Sequence, residues 1–313
     1  MRLPSSPSVP PVATPLIEIR GLAKTYADGT PALRGIDLDV GEGMFGLLGP
    51  NGAGKTTFLS ILVLVQEPSA GSRRYEGLDA AAPQARPEIR RRIGYLPQDF
   101  RPLAHLTGEE YLAHCGALRE MRLSRRELSQ RIARLLAEVD LTHAAKRRAG
   151  TYSGGMCRRL GLAQALIHRP RFLIIDEPTA GLDPEERIRF RSLITEVAET
   201  TAVLLSTHIV EDIEATCPRI AILAQGALLF DGEPGLLMRQ AAGRLFLAPA
   251  AVELPADALT LGRRVLPSGE PATLFFAERP PAGALPYEVT LEAAYSTFLA
   301  RRGAAPEPAE EAK

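Results

Sequence analysis

A mostly parallel α/β sheet with helices on both faces, an antiparallel β edge, a helical subdomain and a small α+β appendage is the fold this sequence predicts. Three observations predict it. An apolar run, Met44-Phe45-Gly46-Leu47-Leu48, enters the stretch Gly49-Pro50-Asn51-Gly52-Ala53-Gly54-Lys55-Thr56-Thr57 and leaves it into a second apolar run, 58–65, long enough for a helix. A second run, Phe172-Leu173-Ile174-Ile175, ends in two acids, Asp176 and Glu177. From Arg171 onward short apolar runs alternate with helical patterns, the order of a parallel sheet covered by helices.

Taken in order, residues 1–15 are rich in proline and serine and are expected to be disordered. Alternation over 16–23 and 33–40 predicts two edge strands. Pro68-Ser69-Ala70-Gly71-Ser72 predicts a turn with a short strand after it. Helical spacing over 109–121 and 125–139, with Ile132, Leu135, Leu136 and Val139 on one stripe, predicts a helical subdomain at 83–170. Strands follow at 172–175, 202–206, 220–223 and 227–230. Helices follow at 184–199 and 210–215, the first with Asp183 as N-cap and Pro184 at its first position. Around 238–243 the pattern breaks. Short apolar pieces split by prolines, then a helix over 291–302 opened by Thr290, predict the appendage. The expected organisation is a main domain at 16–242, an accessory domain at 243–302 and an unstructured acidic tail at 303–313.

Composition narrows the functional classes. Lysine plus arginine balance aspartate plus glutamate, 37 against 37, over 313 residues. Nothing global therefore points to nucleic acid or an anionic surface. The balance is uneven, with 18 basic against 8 acidic residues between Arg86 and Arg171. Cys115, Cys157 and Cys217 are scattered without metal-ligand spacing, which fits a reducing, cytoplasmic setting. No signal peptide is visible, and no apolar run approaches the ~20 residues of a membrane helix. A membrane role would need a span from another chain.

The residue types in the 49–57 stretch suit phosphate. Glycines let successive backbone N–H groups curve around an anion, and the helix that follows adds the positive end of its dipole. Lys55 is placed for β- and γ-phosphates and the Thr56 hydroxyl for Mg²⁺. Asp176 and Glu177 stand at the carboxyl end of a buried strand, where open parallel sheets bind ligands. Asp176 is placed to hold Mg²⁺ through water, and Glu177 to polarise an attacking water. Ser153-Gly154-Gly155 opens a further helix, a second anion cradle built on the same physics.

The set resembles the ATP-binding subunits of ABC transporters over about 16–243. The resemblance rests on the P-loop Gly49 to Thr57, Gln98 in Gly94-Tyr95-Leu96-Pro97-Gln98, Ser153-Gly154-Gly155, the Walker B acids Asp176 and Glu177, Ala180-Gly181-Leu182-Asp183, and His208 after Leu205-Ser206-Thr207. It implies a P-loop NTPase of ABC type that binds ATP with Mg²⁺. Gly49, Pro50, Asn51, Gly52, Ala53, Gly54, Lys55, Thr56 and Thr57 would hold the triphosphate, and Tyr26 would stack on adenine. Thr56, Gln98 and Asp176 would serve the metal. Glu177 would be the general base, Lys55 would hold the triphosphate as a catalytic residue, and His208 would contact the γ-phosphate. It also implies that Ser153, Gly154 and Gly155 serve the ATP of the opposite subunit, with Asp183 in the D-loop.

Further implications are a separate transmembrane permease as partner, a second copy or homologous ATPase subunit, no nucleic acid, and a place on the cytoplasmic face of the membrane. Tyr152 and Met156 replace the family's usual leucine and glutamine, and Cys157 replaces a polar or basic residue. Met156 with Gly181-Leu182-Asp183-Pro184, and the 290–299 helix, are most like exporter-type ATPases. DNA-repair types need a long coiled coil between Gln98 and Ser153, where no sustained heptads occur. Translation types carry two cassettes, whereas one P-loop is present here. A subunit without turnover is at odds with Lys55, Glu177 and His208.

Overall fold

The computed structural model describes residues 15–119 and 121–303. The segments expected to be unstructured, 1–15 and 303–313, lie outside it except for Pro15 and Gly303. In chain order the elements are β1 (Ile17–Thr25), β2 (Pro31–Val40), β3 (Met44–Leu48), α1 (Lys55–Leu62), β4 (Ala70–Tyr75), β5 (Leu78–Asp79), α2 (Arg86–Arg92), β6 (Ile93–Leu96), α3 (Gly108–Leu118) and α4 (Arg125–Glu138). There follow α5 (Gly154–Leu166), β7 (Phe172–Asp176), α6 (Pro184–Ala198), β8 (Ala202–Thr207), α7 (Val210–Glu214), β9 (Arg219–Ala224), β10 (Ala227–Gly232) and α8 (Pro234–Ala241). The last elements are β11 (Leu245–Pro249), β12 (Leu259–Val265), β13 (Pro271–Phe276), β14 (Leu285–Pro286) and α9 (Leu291–Ala300). The chain forms two compact units.

The first unit runs to His208 and includes Ala221–Phe230. Its core sheet has the order β10-β9-β3-β8-β7-β6, with β3 parallel to β8, β8 to β7 and β7 to β6. Every residue of β3, β7 and β8 is buried, as expected of strands covered on both faces. A second, antiparallel sheet has the order β2-β1-β4-β5. Its alternation sends Ile17, Ile19, Ile36, Leu38 and Val40 into the same core as Phe58, Leu59 and Phe172. Tyr75 of β4 meets Phe172 of β7 edge-on, with ring centroids 6.0 Å apart, and donates its hydroxyl to the Leu62 carbonyl at 2.5 Å.

Local chemistry sets the helix ends. Thr107 and Ser124 form capping boxes with Glu110 and Glu127 at the starts of α3 and α4, satisfying amides that the first helical turn leaves free. Helix α1 begins at Lys55, as the glycine-rich stretch leads one to expect, with Gly54 in a left-handed conformation (φ 101°) as its N-cap. It ends before 65, and Leu64 beyond it turns left-handed (φ 59°). The segment 83–170, expected to be helical, also supplies β6, which pairs with β7 from Ile93↔Phe172 to Leu96↔Ile175. Four residues are too few for periodicity to reveal a strand.

The second unit comprises, among the described residues, Ile209–Ile220 and 231–303. Residue 243, expected to open the accessory domain, falls within this unit. Its antiparallel sheet has the order β12-β13-β11-β14, and α9 packs on α7, α8 and β12. Phe246 and Phe275, with ring centroids 5.8 Å apart, centre a small core with Ala248 and Ala277. Thr290 caps α9 by accepting from the Ala293 amide at 3.2 Å. Among the described residues, no helix is long and apolar enough to cross a membrane.

One partly buried histidine makes the stability of the first unit depend on pH. His168 donates Nε2–H to the Ile93 carbonyl at 3.0 Å. Burial, aided by the nearby Arg119 and Arg131 charges, pushes its pKa down from 6.5 to about 4. Between those values the unfolded chain binds a proton that the folded chain refuses, so stability falls as pH drops through this window. Urea unfolding measured at a series of pH values should show that slope in the wild type and a flatter profile in His168→Gln.

Candidate functional site

The site begins where β3 ends. A Cβ on Gly49 would lie 2.3 Å from the Leu223 carbonyl oxygen, so only glycine passes this point without displacing backbone. Gly54 is equally constrained, at 2.6 Å from the Ala32 carbonyl oxygen and with positive φ. The loop therefore turns tightly enough for Lys55 to open α1 while its side chain folds back over the turn. Lys55 Nζ donates to the carbonyls of Gly49 at 2.6 Å and Pro50 at 3.2 Å, and lies 3.3 Å from Glu177 Oε1. Lys55 is 6% exposed and Glu177 4%. Charges this buried persist only when paired.

Strand β7 delivers both acids. Asp176 is fully buried and accepts from Thr56 Oγ1 at 3.1 Å and from Ser206 Oγ at 3.0 Å. Burial raises its pKa above the usual carboxylate value, while the bonds from Ser206 and Thr56 pull the other way. The two hydroxyls thus join the start of α1 and the end of β8 to one carboxylate. Glu177 takes a left-handed backbone conformation (φ 46°), and its amide donates to the Ser206 carbonyl at 2.9 Å. Such a residue costs about 1–3 kcal/mol and persists where its surroundings hold it. Its second oxygen, Oε2, lies 2.7 Å from His208 Nδ1 and accepts the His208 amide at 3.4 Å. Lysine and histidine therefore grip the two oxygens of one carboxylate.

A cleft of about 420 Å³ lies over this arrangement, lined by residues 50–57, Gln98 and Glu177. It brings together most of the positions that the sequence singles out. Gly49 lies buried beneath the loop, Asp176 behind it and His208 against Glu177. Tyr26 stands at the rim, its hydroxyl 2.9 Å from Thr57 Oγ1 and its ring 40% exposed. Residues 153–155 and Asp183 do not line the cleft. Ser153 caps α5, accepting the Met156 amide at 3.2 Å. Gly155 lies against Glu186, a Cβ there falling 2.1 Å from its carboxylate oxygen. Arg159 and Arg189 hold that same carboxylate, and Asp183 caps α6 by accepting the Glu186 amide at 2.8 Å.

Sequence reasoning missed several participants. Arg34 and Gln225 line the cleft. Arg34 is fixed to the loop through backbone, its amide donating to Gly226 O at 2.8 Å while the Gly226 amide donates to Ala53 O at 3.0 Å. Alternation along β2 marks Arg34 only as an outward polar residue. Arg158 of α5 donates to the carbonyls of Pro97 and Gln98 and so anchors the backbone of the glutamine segment. Cys157 beside it is partly buried, which raises its thiol pKa. The Gly49 contact is testable: Gly49→Ala should lower unfolding free energy by about 1–3 kcal/mol through overpacking, as read by chemical denaturation.

Comparison with known proteins gives a consistent answer. The family described as ABC transporter matches residues 33–180. YxlF of Bacillus subtilis, an uncharacterized ABC transporter ATP-binding protein, is 39% identical over 235 residues, covering 74% of this chain and 75% of that protein. ABC transporter A family member 7 of Arabidopsis thaliana is 38% identical over 68% of this chain, but the match spans only 23% of that longer protein. The dimeric structure of MJ0796, a bacterial ABC transporter cassette, superposes with a TM-score of 0.64 at 25% identity over 69% of this chain and 98% of that one. With the phosphate-binding loop, the acids at the end of β7 and these relatives in agreement, the chain belongs to the ABC transporter ATP-binding proteins, P-loop ATPases of the ABC cassette fold.

Proposed function

We propose that this protein is the ATP-hydrolysing subunit that energises export through a separate membrane permease, on the cytoplasmic face of the membrane. The observation that carries the catalytic part is Glu177, a buried carboxylate gripped by Lys55 and His208 at the edge of the cleft. In this reading residues 49–57 cradle the triphosphate with backbone amides, and Tyr26 stacks on adenine. Lys55 exchanges the Gly49 and Pro50 carbonyls for phosphate oxygens. Glu177 accepts a proton from water as its oxygen bonds to the γ-phosphorus and the bond to the ADP oxygen breaks. His208 holds Glu177 in line for that transfer.

The donor set fits magnesium. Thr56 Oγ1 and Asp176 converge within 3.1 Å, Gln98 lines the same cleft, and all three offer hard oxygen donors. Among the described residues no group of three histidine, cysteine or acidic side chains forms a protein-only metal cage, which suits an ion that shares its ligands with phosphate. Bound there, the ion would offset phosphate charge.

Ser153, Gly154 and Gly155 serve the nucleotide of a second subunit, with Asp183 at the same interface. Support comes from their position outside the cleft and from the dimeric relative. Closure on ATP and opening after hydrolysis then do work because ATP binds the closed pair more tightly. The exporter assignment, and a permease on its own chain, are supported by Met156, by Gly181-Leu182-Asp183-Pro184 and by the residues of α9. The 243–302 segment is an accessory domain to the cassette.

Glu177→Gln should retain ATP affinity and lose turnover by at least about a hundredfold, within the range of a lost general base, accumulating as an ATP-bound dimer in size-exclusion chromatography. Wild-type turnover in that variant would remove Glu177 as the base. Lys55→Ala should lose most of its ATP affinity by calorimetry; unchanged binding would contradict the cradle.

A further inference from the structure

The basic excess between Arg86 and Arg171 takes no part in the nucleotide cleft, and the first unit gathers much of it at one corner. A cavity of about 580 Å³ is lined by Arg91, Arg119, Met121, Arg122 and His168. A second, of about 310 Å³, shares Met121 and His168 and adds Arg131, Arg134 and Arg169. The two are therefore neighbours, and six guanidinium groups line them. Among the described residues the linings include one acid, Glu127, whose carboxylate is already engaged by the Ser124 amide and hydroxyl, each at 2.7 Å.

Arg119 and Arg131 are held in place by backbone carbonyls, while Glu138 acts on Arg131 from nearby. Arg119 donates to the Arg90 carbonyl at 3.0 Å and Arg131 to the Leu166 carbonyl at 2.8 Å. Carbonyls orient a guanidinium but leave its charge uncompensated. Arg91 meets Glu88 only at 3.7 Å, with both side chains largely exposed. His168 lines both cavities; burial, aided by the Arg119 and Arg131 charges, keeps it neutral, and its Nδ1 has no hydrogen-bond partner among the described residues. Partial burial of Arg119 and Arg131 lowers their pKa values, the sign of charge held against desolvation.

The same corner exposes large apolar side chains. Leu118, at the end of α3, is 70% exposed, and Leu123, just before α4, is 40% exposed. They flank the turn that carries Arg119 and Arg122. A free phosphate would use the guanidinium groups but not the leucines. A single-stranded nucleic acid would want aromatic platforms, which the cavity linings do not contain. An anionic amphiphile uses both features: arginine pairs with a phosphodiester in forked geometry, and its aliphatic stem and neighbouring leucines lie along the acyl boundary.

We propose that this corner is a docking site for anionic phospholipid, with Arg91, Arg119 and Arg122 holding the headgroup phosphate, Arg134 and Arg169 extending the basic surface, and Leu118 and Leu123 entering the interface. Such a contact orients the ATPase on the bilayer independently of any permease.

Co-sedimentation of the full chain with phosphatidylcholine vesicles, with and without phosphatidylglycerol, tests it. Binding is expected only with phosphatidylglycerol and should weaken as salt rises. Arg122→Glu with Arg134→Glu should weaken it by at least about twentyfold, given roughly fivefold per arginine near a charged surface. Leu118→Ser with Leu123→Ser should also detach the protein, while ATP hydrolysis in solution stays at the wild-type rate in both double variants and shows that they are folded. Equal binding to neutral vesicles, no binding to anionic ones, or undiminished binding after charge reversal would overturn the proposal. So would displacement by free glycerol phosphate at constant ionic strength, which would mark a small-anion site instead.

Discussion

The cassette depends on keeping two carboxylates at the buried end of β7. Asp176 is out of reach of solvent, and its charge is supported by hydroxyls from two other elements, Thr56 of α1 and Ser206 of β8. That three-way contact sets where the helix begins relative to the sheet, and so where the phosphate-binding loop lies. Removing either hydroxyl would leave a buried carboxylate short of a donor, a loss of about 1–3 kcal/mol. Burial and hydrogen bonding pull this carboxyl in opposite directions, and burial prevails.

Glu177 extends the same logic to catalysis. Its left-handed backbone turns the chain out of the strand, and its side chain is caught between Lys55 and His208. The strain is sustained because the amide still finds the Ser206 carbonyl and both oxygens find cations or N–H donors. Lys55, for its part, is held by carbonyls that belong to the loop itself. The loop, the lysine and the base thus form one connected unit rather than three separately placed parts.

Much of this was legible from residue order. The apolar runs before Gly49 and before Asp176 read as buried strands, and both are. That Gly49 and Gly54 also pass close to the Leu223 and Ala32 carbonyls shows only in the structure. What stayed hidden depends on contacts distant in sequence. β6 is four residues long and is recognisable as a strand only through its pairing with β7. Arg34 reaches the cleft because β2 is tied to Gly226, and Arg158 grips the Gln98 segment 60 residues away. Glu186 is prominent only once α6 is seen against Gly155 and Arg159. Neither periodicity nor motif spacing encodes such meetings.

The central claim is that Lys55 and Glu177 stabilise one another as buried charges, so that losing either one costs stability. A double-mutant cycle in unfolding free energy, using Lys55→Met, Glu177→Gln and the two combined, measures this directly. The account predicts that Lys55→Met is the most damaging single change, and that adding Glu177→Gln recovers part of the loss, with a coupling of about 1–3 kcal/mol. Strictly additive effects, with no recovery in the double variant, would contradict it.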